Sequence, residues 1–321
     1  MVLSLFDHAC WIASLMSRPY RIDRRTIIGT LLAASLTIHF ASGARSYGRP
    51  GPVLAPHATL VLMVPFNHGL IVAADGRQTV FDKIYCDGVA KIVEATKPTR
   101  AVGTVTGNGV VVDYPHPVPD DQVCDYIKKA PKIFDIEAVV LRFLDSSSGP
   151  LRGLNLGPLV QQCLSEVIKL DKTLPGFLAK FLGTTMFQVV LAGYDAETNT
   201  SVIRMFSGRI ERDGRFVFQF NEDKTYSPDT GADWLMFGEA DYFNAHVLGP
   251  EGQPFYDKGI YERMKDHKIA EIDRDQAIAL AEHSIEAAAK TTTVIPAATG
   301  IGGPIELLAI GGDPKPERIG R

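Results

Sequence analysis

Two apolar runs, separated by a short turn, constrain the start of this fold more than any other feature. Thr59-Leu60-Val61-Leu62-Met63-Val64 and Leu70-Ile71-Val72-Ala73-Ala74-Asp75 flank Pro65-Phe66-Asn67-His68-Gly69. Short apolar runs joined by a Gly-containing turn predict an antiparallel hairpin. A third strand fits Ala90 to Glu94, and a fourth fits Ala101 to Gly107. A long mixed segment, 113–183, follows. Tyr114 to Asp120 is Pro-rich and predicts a loop, whereas Ile136 to Leu144 and Leu159 to Leu170 have helical periodicity. Strands return at 185–194, 201–206 and 215–220, and helix resumes near 240–248. The strongest helix signal covers 273–290, where Asp273 and Gln276 have capping-box spacing. A last strand is expected at Ile305 to Ile310. Strands, helices, strands, helices and a strand in that order predict an α+β class and exclude the alternation of a doubly wound sheet.

Composition narrows the function classes. Of 321 residues, 45% are hydrophobic and 22% charged, an ordinary globular mixture. The net charge of −4 is unevenly spread: residues 1–58 carry six arginines against Asp7 and Asp23, a net of +4, so the remainder carries −8. An acidic body without a basic run gives no support for nucleic-acid binding. The four cysteines, Cys10, Cys86, Cys124 and Cys163, form no C-x-x-C pair and no zinc spacing. They are expected to be buried free thiols. No cofactor and no metal site is predicted.

The first 58 residues differ in kind. Arg18, Arg21, Arg24 and Arg25 precede Thr26 to Ala44, a stretch without Lys, Arg, Asp or Glu that ends in Ala41-Ser42-Gly43-Ala44. A basic region, an apolar region and small residues are the parts of an export signal. Arg24-Arg25 also permits a twin-arginine signal, and translation from Met16 would shorten the leader. A membrane anchor and a disordered leader are the competing readings. Gly29, Thr30, Ser35, Thr37 and His39 dilute the stretch as an anchor. Residues 45–58, RSYGRPGPVLAPHA, predict an unfolded linker or propeptide. The expected organisation is therefore 1–44 targeting, 45–58 linker or propeptide, and 59–321 one domain. The leader points to export or the periplasm, with a cytoplasmic location as the alternative.

Three residue types recur at equal intervals. Asp75 follows Thr59 by sixteen residues and Lys91 follows Asp75 by sixteen more. A threonine hydroxyl is a poor nucleophile at neutral pH and needs a base. A free α-amine, with a pKa of about 8, is one. Thr59 could act this way only if it became residue 1 by loss of residues 1–58. In that scheme Lys91 keeps the local field positive, and Asp75 orients Lys91.

This constellation resembles the proteasome β-subunit-like family of the N-terminal nucleophile hydrolases, over about Thr59 to Ile310. Ala73-Ala74-Asp75-Gly76-Arg77 is similar to the family's A-A-D-x-R strand end, and Lys91-Ile92-Val93 to its lysine motif. Val102 to Gly107 is similar to the strand that ends in the oxyanion glycine, and Leu191 to Asp195 to the A-G-x-D strand end. Phe206-Ser207-Gly208, Phe237-Gly238 and Gly302-Gly303 resemble further short motifs. The resemblance implies a four-layer αββα sandwich with two face-to-face antiparallel sheets. It also implies assembly into rings, most simply as a homo-oligomer. It makes Thr59, Asp75, Lys91 and Gly107 the catalytic set, with the Gly107 amide facing the oxyanion. Such a donor is worth about 3 kcal/mol in the transition state.

The chain also departs from that pattern. Ala58 replaces the usual Gly, and Leu60-Val61 replace a Thr pair. Ala298, Ile301 and Glu239 stand where the family has a supporting Asp and two Ser residues. The segment around 113–160 is an insertion. The expected function is a threonine-type hydrolase of peptides or small amides, activated by cleavage before Thr59 and serving protein breakdown. The alternative is a catalytically silent subunit or binding scaffold.

Overall fold

The computed structural model describes Val53–Leu54 and residues 60–320, except 81–83, 98–99, 115–117, 222, 228–232, 268, 270–271, 298–299 and 314. Thr59, Ala298 and the leader lie outside the described residues. Residues 49–321 form one compact unit.

The architecture is mixed α+β with several antiparallel sheets. In chain order the first strands are β1 (Val53–Leu54), β2 (Leu60–Phe66), β3 (Gly69–Asp75), β4 (Arg77–Val80), β5 (Ile84–Asp87), β6 (Ile92–Glu94), β7 (Ala101–Gly107) and β8 (Val110–Val112). Helix α1 (Val123–Lys129), strand β9 (Lys132–Asp135) and helices α2 (Ile136–Ser146) and α3 (Gly157–Thr173) follow. Next come β10 (Thr184–Asp195), β11 (Thr200–Ile210), β12 (Phe216–Phe220), β13 (Lys224–Tyr226) and β14 (Leu235–Gly238). The last elements are α4 (Ala240–Tyr242), α5 (Lys258–Lys265), α6 (Arg274–Thr291), β15 (Ile305–Ile310) and β16 (Glu317–Arg318).

The predicted hairpin forms as β2–β3, tighter than its sequence suggests. Phe66 pairs with Gly69, leaving Asn67-His68 as a two-residue turn, with His68 at φ 70°. These strands join a five-stranded sheet ordered β14-β2-β3-β15-β16. A second sheet runs β12-β11-β10-β7-β6, with β13 also on β11. Alternation in β2 explains the continuous apolar run. Val61 and Met63 join Ile92, Val102, Val190 and Ile203 of the second sheet in one core. Leu60, Leu62 and Val64 join Ala277, Leu280, Ala281 and Ile285 of α6 in another. Opposite faces of a strand point opposite ways, so a strand covered on both sides is apolar throughout. The outer side of the second sheet is covered in turn, where Val189, Leu191 and Phe206 pack with Val139, Val140 and Phe143 of α2 and Leu159 and Cys163 of α3. Helix α6 begins with the expected reciprocal cap between Asp273 and Gln276.

Two expectations are corrected, and one segment holds elements that were not expected. Cys86 and Cys124 form a disulfide, so the reading of all four cysteines as free thiols fails, although Cys163 is free and buried. The residues lie far apart in sequence and no spacing rule links them; the pairing depends on tertiary contact between β5 and α1. Residues 45–58 are not wholly unstructured, because Val53–Leu54 pairs with β8. Beyond the loop expected at 114–120, residues 108–135 hold regular elements that the sequence did not predict. They supply β8, α1 and β9, and with the unpredicted hairpin β4–β5 they enclose a small core of Val80, Cys86, Val110, Val112, Tyr114, Val123 and Ile127. We refer to this part as the stapled module.

Candidate active site

Strand polarity collects the candidate residues at one end of the two large sheets. Asp75 closes β3 opposite Ile305, the first residue of β15, and Leu60 opens β2 opposite Gly238, the last of β14. In the other sheet Ile92 pairs with Thr104. Continuing that register puts Lys91 opposite Val105, with Gly107 two residues further along β7.

Asp75 and Lys91 meet. Lys91 Nζ lies 3.6 Å from Asp75 Oδ1, and both side chains have no solvent exposure. Asp75 Oδ1 also accepts from the Leu60 amide at 2.8 Å, and Oδ2 accepts from the Gly302 amide at 3.1 Å. The ammonium of Lys91 donates to the Arg77 carbonyl. Burying two charges costs several kcal/mol per ion unless hydrogen bonds and mutual attraction offset it. The two amides and the carbonyl provide that offset. Burial pushes Asp75 up from the usual carboxylate range, against Lys91 and the two amides. Burial likewise holds Lys91 below the usual ammonium range, against the attraction of Asp75.

The lysine is held by its backbone as well. Glu306 Oε2 accepts from the amides of Lys91 and Ile92, at 2.8 and 3.0 Å. Glu306 Oε1 accepts from Arg318 at 2.8 Å, and Arg318 also pairs with Glu94. Strands β15 and β16 therefore grip the start of β6, across from one sheet to the other. Sequence reasoning missed Glu306, though a carboxylate inside the apolar run Ile305-Glu306-Leu307-Leu308-Ala309-Ile310 was a visible signal.

Gly107 ends β7 at φ 79°, and a Cβ there would stand 2.9 Å from the Met186 carbonyl oxygen. A side chain would be strained on both counts. The next amide, Asn108, donates to Met186 O at 2.7 Å. Gly107 is thus fixed at the same end as Lys91 but outside the Asp75–Lys91 contact. Thr59 precedes Leu60, whose amide is tied to Asp75; its own position lies outside the described residues. Of the three residues at the expected supporting Asp and Ser positions, Ala298 is also outside them. Ile301 is fully buried in the apolar core under α6, and Glu239 precedes α4. The adjoining Gly302 amide supplies a hydrogen bond to Asp75 from this loop.

The stapled module borders the site through β4–β5. Arg77 forms a two-point pair with Asp87, at 2.7 and 3.0 Å, and stacks over Tyr85 with its guanidinium carbon 5.0 Å from the ring centre. Thr79 Oγ1 accepts from the Gly300 amide at 3.0 Å. Glu137, in the first turn of α2, lies 3.6 Å from Lys132. Burial pushes its carboxyl up to about 7, with Lys132 and Lys91 opposing. Among the described residues no group of three His, Cys, Asp or Glu side chains is placed to hold a metal ion. Comparison with protein-family models and with curated proteins gives no match.

Proposed function

We propose that this chain is a threonine-type hydrolase of amide or peptide bonds, matured by cleavage of Ala58–Thr59 and contributing to protein breakdown. The observation that carries the reading is the buried Lys91–Asp75 pair, tied through Asp75 Oδ1 to the amide of Leu60, the residue after Thr59. Burying a lysine costs several kcal/mol unless pairing and hydrogen bonds offset it, and perturbed buried pairs cluster at functional sites. In the proposed reaction the Thr59 hydroxyl adds to the substrate carbonyl and its own α-amine takes the proton. The amine returns that proton to the leaving amine as the C–N bond breaks, leaving an ester on Thr59. Water, deprotonated by the same amine, hydrolyses the ester and restores the hydroxyl. Lys91 keeps the field near Thr59 positive, which favours a neutral amine. The Gly107 amide faces the oxyanion.

Membership of the N-terminal nucleophile hydrolases and a four-layer αββα arrangement belong to the same proposal. They are supported by three successive cores: α6 on the first sheet, sheet on sheet, and the second sheet on α2 and α3. Export of the chain is also proposed. The Cys86–Cys124 disulfide favours an oxidising compartment. Homo-oligomeric ring assembly is carried over from the resemblance alone. A second reading, a silent subunit or scaffold, is favoured by the apolar burial of Ile301 where a serine is expected.

The test is peptide hydrolysis by the native protein and by Thr59→Ala. The enzyme reading expects turnover that the substitution removes entirely. Unchanged turnover in Thr59→Ala would discard the threonine mechanism, and no turnover in either protein would favour the silent subunit.

A further inference from the structure

The start of β6 departs from the alternation that places side chains along a strand. Ile92 points into the core between the two sheets, so regular alternation would turn Lys91 to the opposite face, toward α2. Its ammonium instead lies at Asp75, which closes a strand of the other sheet. Something bends the chain at Lys91. The amides of Lys91 and Ile92 both donate to one oxygen, Glu306 Oε2. Successive amides of a regular strand point opposite ways, and two of them converge on one anion only where the backbone turns. Glu306 shares the inward face of β15 with Leu308 and Ile310, which join Ile92 in the core between the sheets. Only 8% of its side chain is exposed, and its other oxygen accepts from Arg318. Arg318 comes from β16, a two-residue strand held by the pairs Leu308–Arg318 and Ala309–Glu317. The same guanidinium pairs with Glu94, the last residue of β6. One carboxylate therefore holds the start of β6, and one guanidinium ties that carboxylate to its end.

We infer that Glu306 is a positioning residue for Lys91, and that Arg318 holds it in that role, so that the C-terminal strand is a working part of the site. The inference rests on the reaction proposed above and adds two residues to it. Glu306 acts through the backbone: it fixes the bend from which the Lys91 side chain reaches Asp75. Two amides and a guanidinium donate to it, and hydrogen bonds to an ionised acceptor are stronger than neutral ones. Arg318 supplies the cation that a nearly buried carboxylate needs. Without the bend the ammonium would leave Asp75, and the positive field at the proposed amine would weaken.

Two arms test this. The first needs no turnover. In the full chain labelled with carbon-13 at lysine Cε, the Lys91 signal is identified by its loss in Lys91→Met. In Glu306→Ala that signal is expected to move to the position of the exposed lysines. In Glu306→Gln, whose carbonyl still accepts from the two amides, it is expected to move part of the way. Arg318 is 55% exposed, so Arg318→Ala makes the same test where Glu306→Ala fails to fold. A Lys91 signal that stays in place in folded Glu306→Ala or in Arg318→Ala would overturn the inference. The second arm uses peptide hydrolysis. Lys91 lowers the pKa of the proposed amine, so moving it away raises that pKa and carries the acidic limb of kcat/KM to higher pH. Arg318→Ala is expected to shift the limb up by about half a pH unit and to lower kcat about tenfold, with KM little changed. Arg318→Lys is expected to recover most of the kcat. A residue that served stability alone would change the amount of folded protein and leave the limb where it is, and that result would overturn the inference. No turnover in the native protein, with the Lys91 signal displaced in the first arm, would discard the threonine mechanism and leave the positioning role standing.

Discussion

The two large sheets and the stapled module solve the same problem by different means. The sheets share a core in which both faces of β2 and β3 are covered, and a buried ion pair sits at its end. Among its described residues the module buries seven hydrophobic side chains in its core, and it is cross-linked by Cys86–Cys124. A core that small supplies little burial energy, and a cross-link makes up the difference by restricting the unfolded chain. The lesson is about separability. The site's buried charges belong to the large core, whereas the contacts that border it through β4–β5 belong to the module, which is expected to loosen alone.

Breaking the large core at its charged end should have the greatest effect. Lys91→Ala leaves Asp75 buried without its cation, and a loss of about 3–5 kcal/mol is expected in urea unfolding. The pair Lys91→Met with Asp75→Asn should recover much of that stability while leaving any activity absent. Recovery would show that the pair is retained for chemistry and not for stability.

Breaking the module should act locally. Cys86 and Cys124 are separated by 38 residues. The chain-entropy relation puts such a cross-link at about 4 kcal/mol as an upper limit. Cys86→Ser with Cys124→Ser should raise amide exchange and proteolysis across 108–135 and 77–89. Protection of β2, β3 and α6 should change little. Equal loosening of both regions would contradict their separability.

These outcomes bear on what the sequence discloses. The bounds of β7 and β15 are readable because each short, mostly apolar run is closed by a glycine, Gly107 at the end of β7 and Gly311 just after β15. Asp75 and Lys91 are readable because a regular interval survives along two adjacent hairpins. The module was not readable. Its strands β8 and β9 have three and four residues, too short for a period, and its disulfide joins positions with no sequence link. Glu306 stands out as a carboxylate in an apolar run, but its role was not readable, because the Lys91 and Ile92 amides that it binds leave no trace in residue types.

A third test falls at the junction of the two regions, where Glu137 of α2 meets Lys132 of β9. Its folded pKa, about 7, stands above the ordinary 4.5. The folded state therefore holds the proton more tightly. This contribution to stability is complete below pH 4.5 and is lost as pH rises through about 7. The full swing is about 3 kcal/mol at most, since the side chain keeps 17% exposure. Glu137→Gln should flatten the stability profile across that window and stabilise the protein at pH values above it. Urea midpoints as a function of pH decide the point.

The smallest effect is expected from the exposed rim. Arg77 and Asp87 are 27% and 46% exposed, and Asp87→Asn should cost about 1 kcal/mol or less. A larger loss would mean that this pair, more than the disulfide, holds the module to the site.

The central claim is that Thr59 becomes the first residue of the working protein, and the mass and N-terminal sequence of the purified native chain test it most directly. The account predicts a chain that begins at Thr59, and a Thr59→Ala variant that keeps the residues before it. A native chain that retains Ala58 would contradict it.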